Sequence, residues 1–186
     1  MRILYLTEDV SDEPARPLEI ILEKCFGLKP ERMPRNYKSF RGSKLVKAIR
    51  DSNPKLFSFW GATDILCETI LVIHIDGEHR ISKESICKAL WEYLKLNEAV
   101  KERIEQGSLD LKVVAVLPEP CLEAWLLGRR GARNCEKLKK IVSDPVKLAN
   151  KADMEYLKTY PDLARFLQDA FKALECENPC QSFWGR

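Results

Sequence analysis

An α/β fold is predicted, with a mostly parallel sheet of about four strands, helices on both faces and a C-terminal helical segment. Three observations carry this expectation. Short apolar, largely β-branched runs at Ile3–Leu6, Ile70–Ile75 and Val113–Leu117 have strand length and are too uniformly apolar for a solvated sheet face. Segments with apolar residues at helical spacing alternate with them. The first two runs end abruptly on acids, Glu8-Asp9 and Asp76-Gly77-Glu78, which places carboxylates at strand ends, where parallel sheets bind ligands.

In chain order, the first strand spans Arg2 to Thr7. Pro17 then opens a helical pattern carrying Leu18, Ile21, Leu22, Cys25 and Phe26, and Gly27 supplies its stop. Lys29 to Arg41 reads as a basic loop enclosing a short strand, since two prolines disfavour continuous helix. Ser43 is the expected cap of a helix with Leu45, Val46 and Ile49, ending before Asn53-Pro54. Leu56 to Glu68 has no clean period and is left unassigned. After the second long strand, Ser82 is an N-cap with Ile81 and Ile86 as its hydrophobic staple, and Ile86, Ala89, Leu90, Tyr93 and Leu94 form one stripe. The strand from Leu111 to Leu117 leads through Pro118-Glu119-Pro120 into Cys121–Leu127, apolar almost all round with Glu123 its single charge. Asp144-Pro145 starts a further helix, and Leu163, Phe166, Leu167, Ala170, Phe171 and Leu174 keep helical spacing. Residues 1–130 thus read as the α/β core and 131–186 as a helical extension packed on it.

The bulk composition restricts function without choosing one. The net charge of +3, from 31 basic and 28 acidic residues, means that attraction to phosphates must come from local clusters. No apolar run approaches membrane-spanning length and the N-terminus lacks a signal core, so a cytoplasmic protein without membrane contact is the expectation. Of seven cysteines, Cys25, Cys67, Cys87 and Cys121 lie in or beside apolar segments and read as core thiols. Cys176 and Cys180 look like half of a metal clip, but without a second close pair they argue against a structural zinc or iron–sulfur site; a disulfide between them is the alternative.

Glu8, Asp76 and Glu78 are the candidate catalytic and metal-ligating residues, because Mg²⁺ or Mn²⁺ needs only two or three hard carboxylates to sit beside a phosphate. Glu8 is alternatively a general base or acid, as crowding by other carboxylates raises its pKa. Asp9 and Glu123 are further candidate ligands. Glu123 either joins the acidic cluster or pairs with Arg129 or Arg130; Glu119 is a weaker candidate for the cluster. His74 reads as a buried, hydrogen-bonded residue and His79 as the better proton-transfer group.

These residues resemble the Toprim superfamily, the catalytic domain of topoisomerases, bacterial primases and OLD-type nucleases, and more closely its small stand-alone members, which are often defence-associated. The opening pattern of those proteins, Val-Glu-Gly-x-Ser-Asp-Glu, is similar to Thr7-Glu8-Asp9-Val10-Ser11-Asp12-Glu13; their Asp-x-Asp element is similar to Asp76-Gly77-Glu78, and their Glu-x-Trp-Leu-Leu to Glu123–Leu127. The resemblance covers about the first 130 residues. It implies a Rossmann-like sheet, Mg²⁺ or Mn²⁺ at Glu8, Asp76 and Glu78, and nuclease activity. Asp9 stands in place of a glycine, Glu78 in place of the second aspartate, and Gly128 where an acid is common.

Two basic segments complete the nucleic-acid expectation. Arg35, Lys38 and Arg41, beside Tyr37 and Phe40, form one; Arg129, Arg130, Arg133, Lys137, Lys139 and Lys140 form the other. The leading expectation is a metal-dependent nuclease acting on DNA or RNA. The alternatives are a catalytically silent nucleic-acid- or protein-binding module, motivated by Asp9 and Gly128, and a small-molecule phosphohydrolase. A homodimer and a partner ATPase are both compatible with the sequence.

Overall fold

The computed structural model describes residues 2–9, 12–32, 40, 42–58, 69–106, 111–118, 121–127, 134–153 and 155. Three six-residue strands, β1 (Arg2–Thr7), β3 (Thr69–His74) and β4 (Leu111–Val116), form a parallel sheet, and the two-residue β2 (Glu31–Arg32) pairs along β1, giving the order β2-β1-β3-β4. The chain leaves β1 toward one edge and returns to β3 on its other side. The crevice between the carboxyl ends of β1 and β3 is therefore the switch point of the sheet, where α/β folds place ligands.

Alternation along the strands divides the core in two. Leu4, Leu6, Leu71, Ile73 and Val113 face one layer, formed by α2 (Ser43–Arg50), a 3₁₀ turn at Pro54–Phe57, α3 (Lys83–Leu96) and α4 (Glu98–Glu105). Ile3, Tyr5, Ile70, Val72, Val114 and Val116 face the other, where α1 (Asp12–Phe26) contributes Leu18, Ile21 and Leu22, and α5 (Leu122–Leu127) contributes Leu122 and Trp125. A strand buried on both faces must be apolar at every position, which is why these runs show no polar alternation. Two further helices, α6 (Cys135–Ile141) and α7 (Pro145–Lys151), close the side beside α5. Lys24, in the last turn of α1, donates from Nζ to the carbonyls of Ala149, Asn150 and Ala152 at 2.8–3.0 Å, capping the C-terminus of α7 and tying it to the core.

Most expected boundaries follow from local chemistry. Ser82 accepts from the Ser85 N–H at 3.3 Å, Ile81 and Ile86 are both buried, and Asp144 accepts from the Lys147 N–H at 2.8 Å. Three expectations are corrected. Pro17 lies inside α1, which begins at Asp12; as the sixth helical residue it forgoes the backbone bond to the Glu13 carbonyl, and the apolar stripe beyond it still reaches the sheet. Ser43 is the first residue of α2 and not its cap. Gly42 occupies the cap with φ 59° and no side-chain bond, a left-handed backbone that favours glycine. Cys87 is disulfide-bonded and so is not a free core thiol. The apolar pattern from Leu163 to Leu174, Cys176 and Cys180 lie outside the described residues. Among the described residues, no helix is long and apolar enough to cross a membrane.

Candidate metal and phosphate site

The acid turn after β3 is fixed by backbone bonds before any side chain acts. Ile75 N–H donates to the Val116 carbonyl at 3.0 Å and Gly77 N–H to the Pro118 carbonyl at 2.8 Å, so β4 holds the chain through Asp76. Gly77–His79 then forms a 3₁₀ turn that ends on Arg80 in the left-handed region, and Arg50 Nη2 donates to the His79 carbonyl at 2.7 Å. Asp76 itself is buried.

Glu8 and Asp76 are brought together as expected from their strand ends, but each carboxylate has its own partners. Glu8 Oε1 accepts from the Asp76 N–H at 2.6 Å, and Glu8 Oε2 lies 2.6 Å from His79 Nε2. Burial pushes the Glu8 carboxyl above its ordinary value; the Asp76 N–H opposes this, the Asp76 charge reinforces it, and His79 and His74 oppose it, with the net shift upward. Asp76 Oδ1 accepts from the Leu122 N–H, the first of α5, at 3.2 Å. Asp76 Oδ2 accepts from Lys139 Nζ at 3.0 Å and from the Cys135 thiol at 3.8 Å. Burial alone would lower the Lys139 pKa, but the Asp76 charge and hydrogen bond overcome it and raise it, keeping the ammonium charged. Glu78 stays at the surface, its side chain 44% exposed and 3.9 Å from His79 Nε2.

A cavity of about 290 Å³ opens beside Asp76, lined also by Asp9, His74, Glu123 and Lys139. Glu123, a candidate ligand in the sequence, therefore does face the acids, and its Oε2 is buried without a hydrogen-bond partner among the described residues. Asp9 lies at the same cavity, where its Oδ2 accepts from the Thr7 hydroxyl at 2.9 Å. His74 is buried as expected, with Nδ1 3.0 Å from Thr7 Oγ1. The Thr7 hydroxyl has one proton, already given to Asp9, so it accepts from His74 Nδ1–H, and in the neutral ring Nε2 carries the lone pair. That nitrogen has no hydrogen-bond partner among the described residues and sits 3.6 Å from Asp76 Oδ1.

Lys139, from the basic run that begins at Arg129, reaches Asp76, whereas Cys121 and Cys135 join the site without any signal in the sequence. Cys121 and Cys135 pack with Ala124 and Leu138 in a small apolar cluster joining α5 to α6. Burial pushes both thiols upward, Cys135 to about 11. Spacing along the chain is silent about them, because they meet Asp76 only through the packing of α6 on α5. Arg35, Lys38, Arg41, Arg129, Arg130 and Arg133, together with Glu119 and Gly128, lie outside the described residues. Compared with protein-family models, curated proteins and solved structures, the chain matches none.

Proposed function

We propose that the protein is a Toprim-like phosphodiesterase that uses Mg²⁺ or Mn²⁺ to cleave nucleic acid. The observation that carries this reading is the meeting of Glu8 and Asp76 at the switch point of a parallel sheet, joined by the 2.6 Å bond from the Asp76 N–H to Glu8 Oε1. The donor chemistry fits a hard divalent ion: two carboxylates from adjacent strand ends, the Glu8 carboxyl held above its ordinary pKa first by burial and then by the Asp76 charge, with a lysine ammonium already supplying positive charge at Asp76. Glu8 and Asp76 would hold the ion, with Glu78 reaching it through water. When bound, it polarises a phosphoryl oxygen and acidifies water.

The chain's own residues supply the rest. Glu8, with its raised pKa, takes the proton of the attacking water, and His79, 2.6 Å away and one-third exposed, passes it to solvent. The Lys139 ammonium offsets charge on the non-bridging phosphoryl oxygens. The cavity lies at the lower end of the roughly 300–1,000 Å³ of enclosed small-molecule pockets, which favours one phosphate of a strand crossing its mouth over an engulfed metabolite.

The test is cleavage of labelled single-stranded DNA, duplex DNA and RNA with Mn²⁺. Wild type cleaves at least one substrate, and Asp76→Asn, which can still accept from Leu122 N–H, loses at least about 100-fold of that rate. Equal trace activity in both proteins would instead favour the silent module. One observation points that way: the oxygens of Glu8 and Asp76 are already engaged by Lys139, His79, Cys135 and backbone N–H groups.

A further inference from the structure

The thiol side of the same cleft carries a donor set that hard-cation chemistry does not use. Asp76, Cys121, Glu123 and Cys135 each offer one ligand atom, and the four atoms lie within 4.8 Å of one another, three of the residues being buried. Two sulfurs and two oxygens at this separation suit a four-coordinate, borderline-soft cation, whereas Mg²⁺ avoids sulfur.

Two independent features leave polar atoms beside the cluster without a hydrogen-bond partner among the described residues. Glu123 Oε2 is a buried acceptor with no donor among the described residues. His74, its side chain 3% exposed, lines the same cavity and aims Nε2 toward Asp76 Oδ1 from 3.6 Å, also with no hydrogen-bond partner among the described residues. Thr7 Oγ1 accepts from Nδ1–H, so Nε2 is the ring nitrogen left facing the Asp76 carboxylate, placed to offer a lone pair to a cation at the cluster. Lys139 reaches only the other oxygen, Oδ2.

We infer that Asp76, Cys121, Glu123 and Cys135 form a site for a resident zinc-class divalent cation, with His74 Nε2 as an additional donor at its edge. Binding converts both thiols to thiolates and releases their two protons to solvent. Four anionic ligands around a dication leave two net negative charges, which Lys139 partly offsets. The inference goes beyond the phosphodiesterase reading and does not require it: the ion would lock α5 and α6 onto the acid turn whether or not the protein cleaves phosphodiesters.

Cobalt(II) titration of the reduced, metal-stripped full chain tests it. The expected result is a one-to-one rise of near-ultraviolet thiolate-to-cobalt absorption with the visible bands of tetrahedral cobalt, both bleached by zinc. The double substitution Cys121→Ser and Cys135→Ser should remove the thiolate absorption, and each single substitution should weaken zinc binding by more than about 100-fold, the upper end of the loss from an outer-shell partner. Glu8→Gln, which alters only the proposed hard-cation side, should leave the spectrum unchanged. Absence of thiolate absorption in the wild-type chain, or its persistence in a folded double variant, overturns the site. Manganese-dependent cleavage is read separately, so loss of either claim leaves the other standing.

Discussion

The backbone N–H of Asp76 donates to the Oε1 of Glu8 over 2.6 Å, binding the exit of β3 to the carboxylate that follows β1. The bond orients Glu8 without using the Asp76 carboxylate, which is left for Lys139, the α5 N–H and the cavity. One acid is thus held in place as a proton-transfer group and the other as a charge centre.

Glu8→Gln should lower kcat/KM for Mn²⁺-dependent cleavage by about 10²–10⁴-fold, the usual contribution of a positioned base. In wild type, kcat/KM should fall on acidification as Glu8 is protonated, because Glu8 must be ionised to accept a proton. Stability should respond in the opposite sense. A carboxyl whose pKa is raised by folding contributes stability below its unfolded value that is lost as pH rises through the folded value. The stability of Glu8→Gln relative to wild type should therefore increase from about pH 4.5 upward and then level off, as read by denaturant titration across pH. A flat difference contradicts this.

Lys139→Met should separate binding from chemistry. Removing the ammonium from Asp76 Oδ2 should tighten Mn²⁺ binding by about fivefold, equivalent to the roughly 1 kcal/mol upper range of a half-exposed ion pair. It should also slow cleavage by about 10²-fold, as expected when one charge-stabilising donor is removed. Calorimetry and single-turnover rates measure the two effects; a parallel weakening of both would mean that Lys139 only supports the fold.

Ser82→Ala removes the hydroxyl that accepts from Ser85 N–H and should cost about 1 kcal/mol, a fall of roughly 2–4 °C in Tm for a chain of this size. Its Mn²⁺-dependent rate should match wild type, since Ser82 does not line the cavity. Thermal melts followed by circular dichroism check the first claim, and the cleavage assay the second.

Nucleic-acid binding should depend on salt. Replacing Arg35, Lys38 and Arg41 together with alanine, or Arg129, Arg130 and Arg133, should weaken binding and flatten the log–log salt slope by about 0.9 for each duplex phosphate that is no longer neutralised. Asp76→Asn should bind at least as tightly as wild type without metal. Fluorescence anisotropy on single- and double-stranded oligonucleotides makes the measurement, and no binding at low salt to DNA or RNA removes the nucleic-acid reading.

What is legible in the sequence is local or periodic. Ser82 with its staple, Asp144-Pro145 and the strand-terminal acids each announce themselves within a few residues, and parallel pairing of β1 with β3 then carries Glu8 to Asp76. What is not legible depends on distant packing. Lys139 and Cys135 lie 63 and 59 residues from Asp76 and meet it only because α6 packs against α5. Glu78 shows the limit of motif spacing: one residue beyond Gly77, the 3₁₀ turn carries its side chain outward to His79, while Glu123, from another element, reaches the cavity instead. Ser43 has the residue type of a cap, yet only the φ of Gly42 shows where the helix begins.

Anomalous scattering from crystals soaked in Mn²⁺ decides whether Glu8 and Asp76 share a metal ion. The expected result is a manganese peak in contact with both carboxylates, with Lys139 displaced from Asp76 Oδ2 and Glu78 linked through water. A map from fully soaked crystals with no manganese at either carboxylate, and the Lys139–Asp76 pair intact, would contradict the shared site.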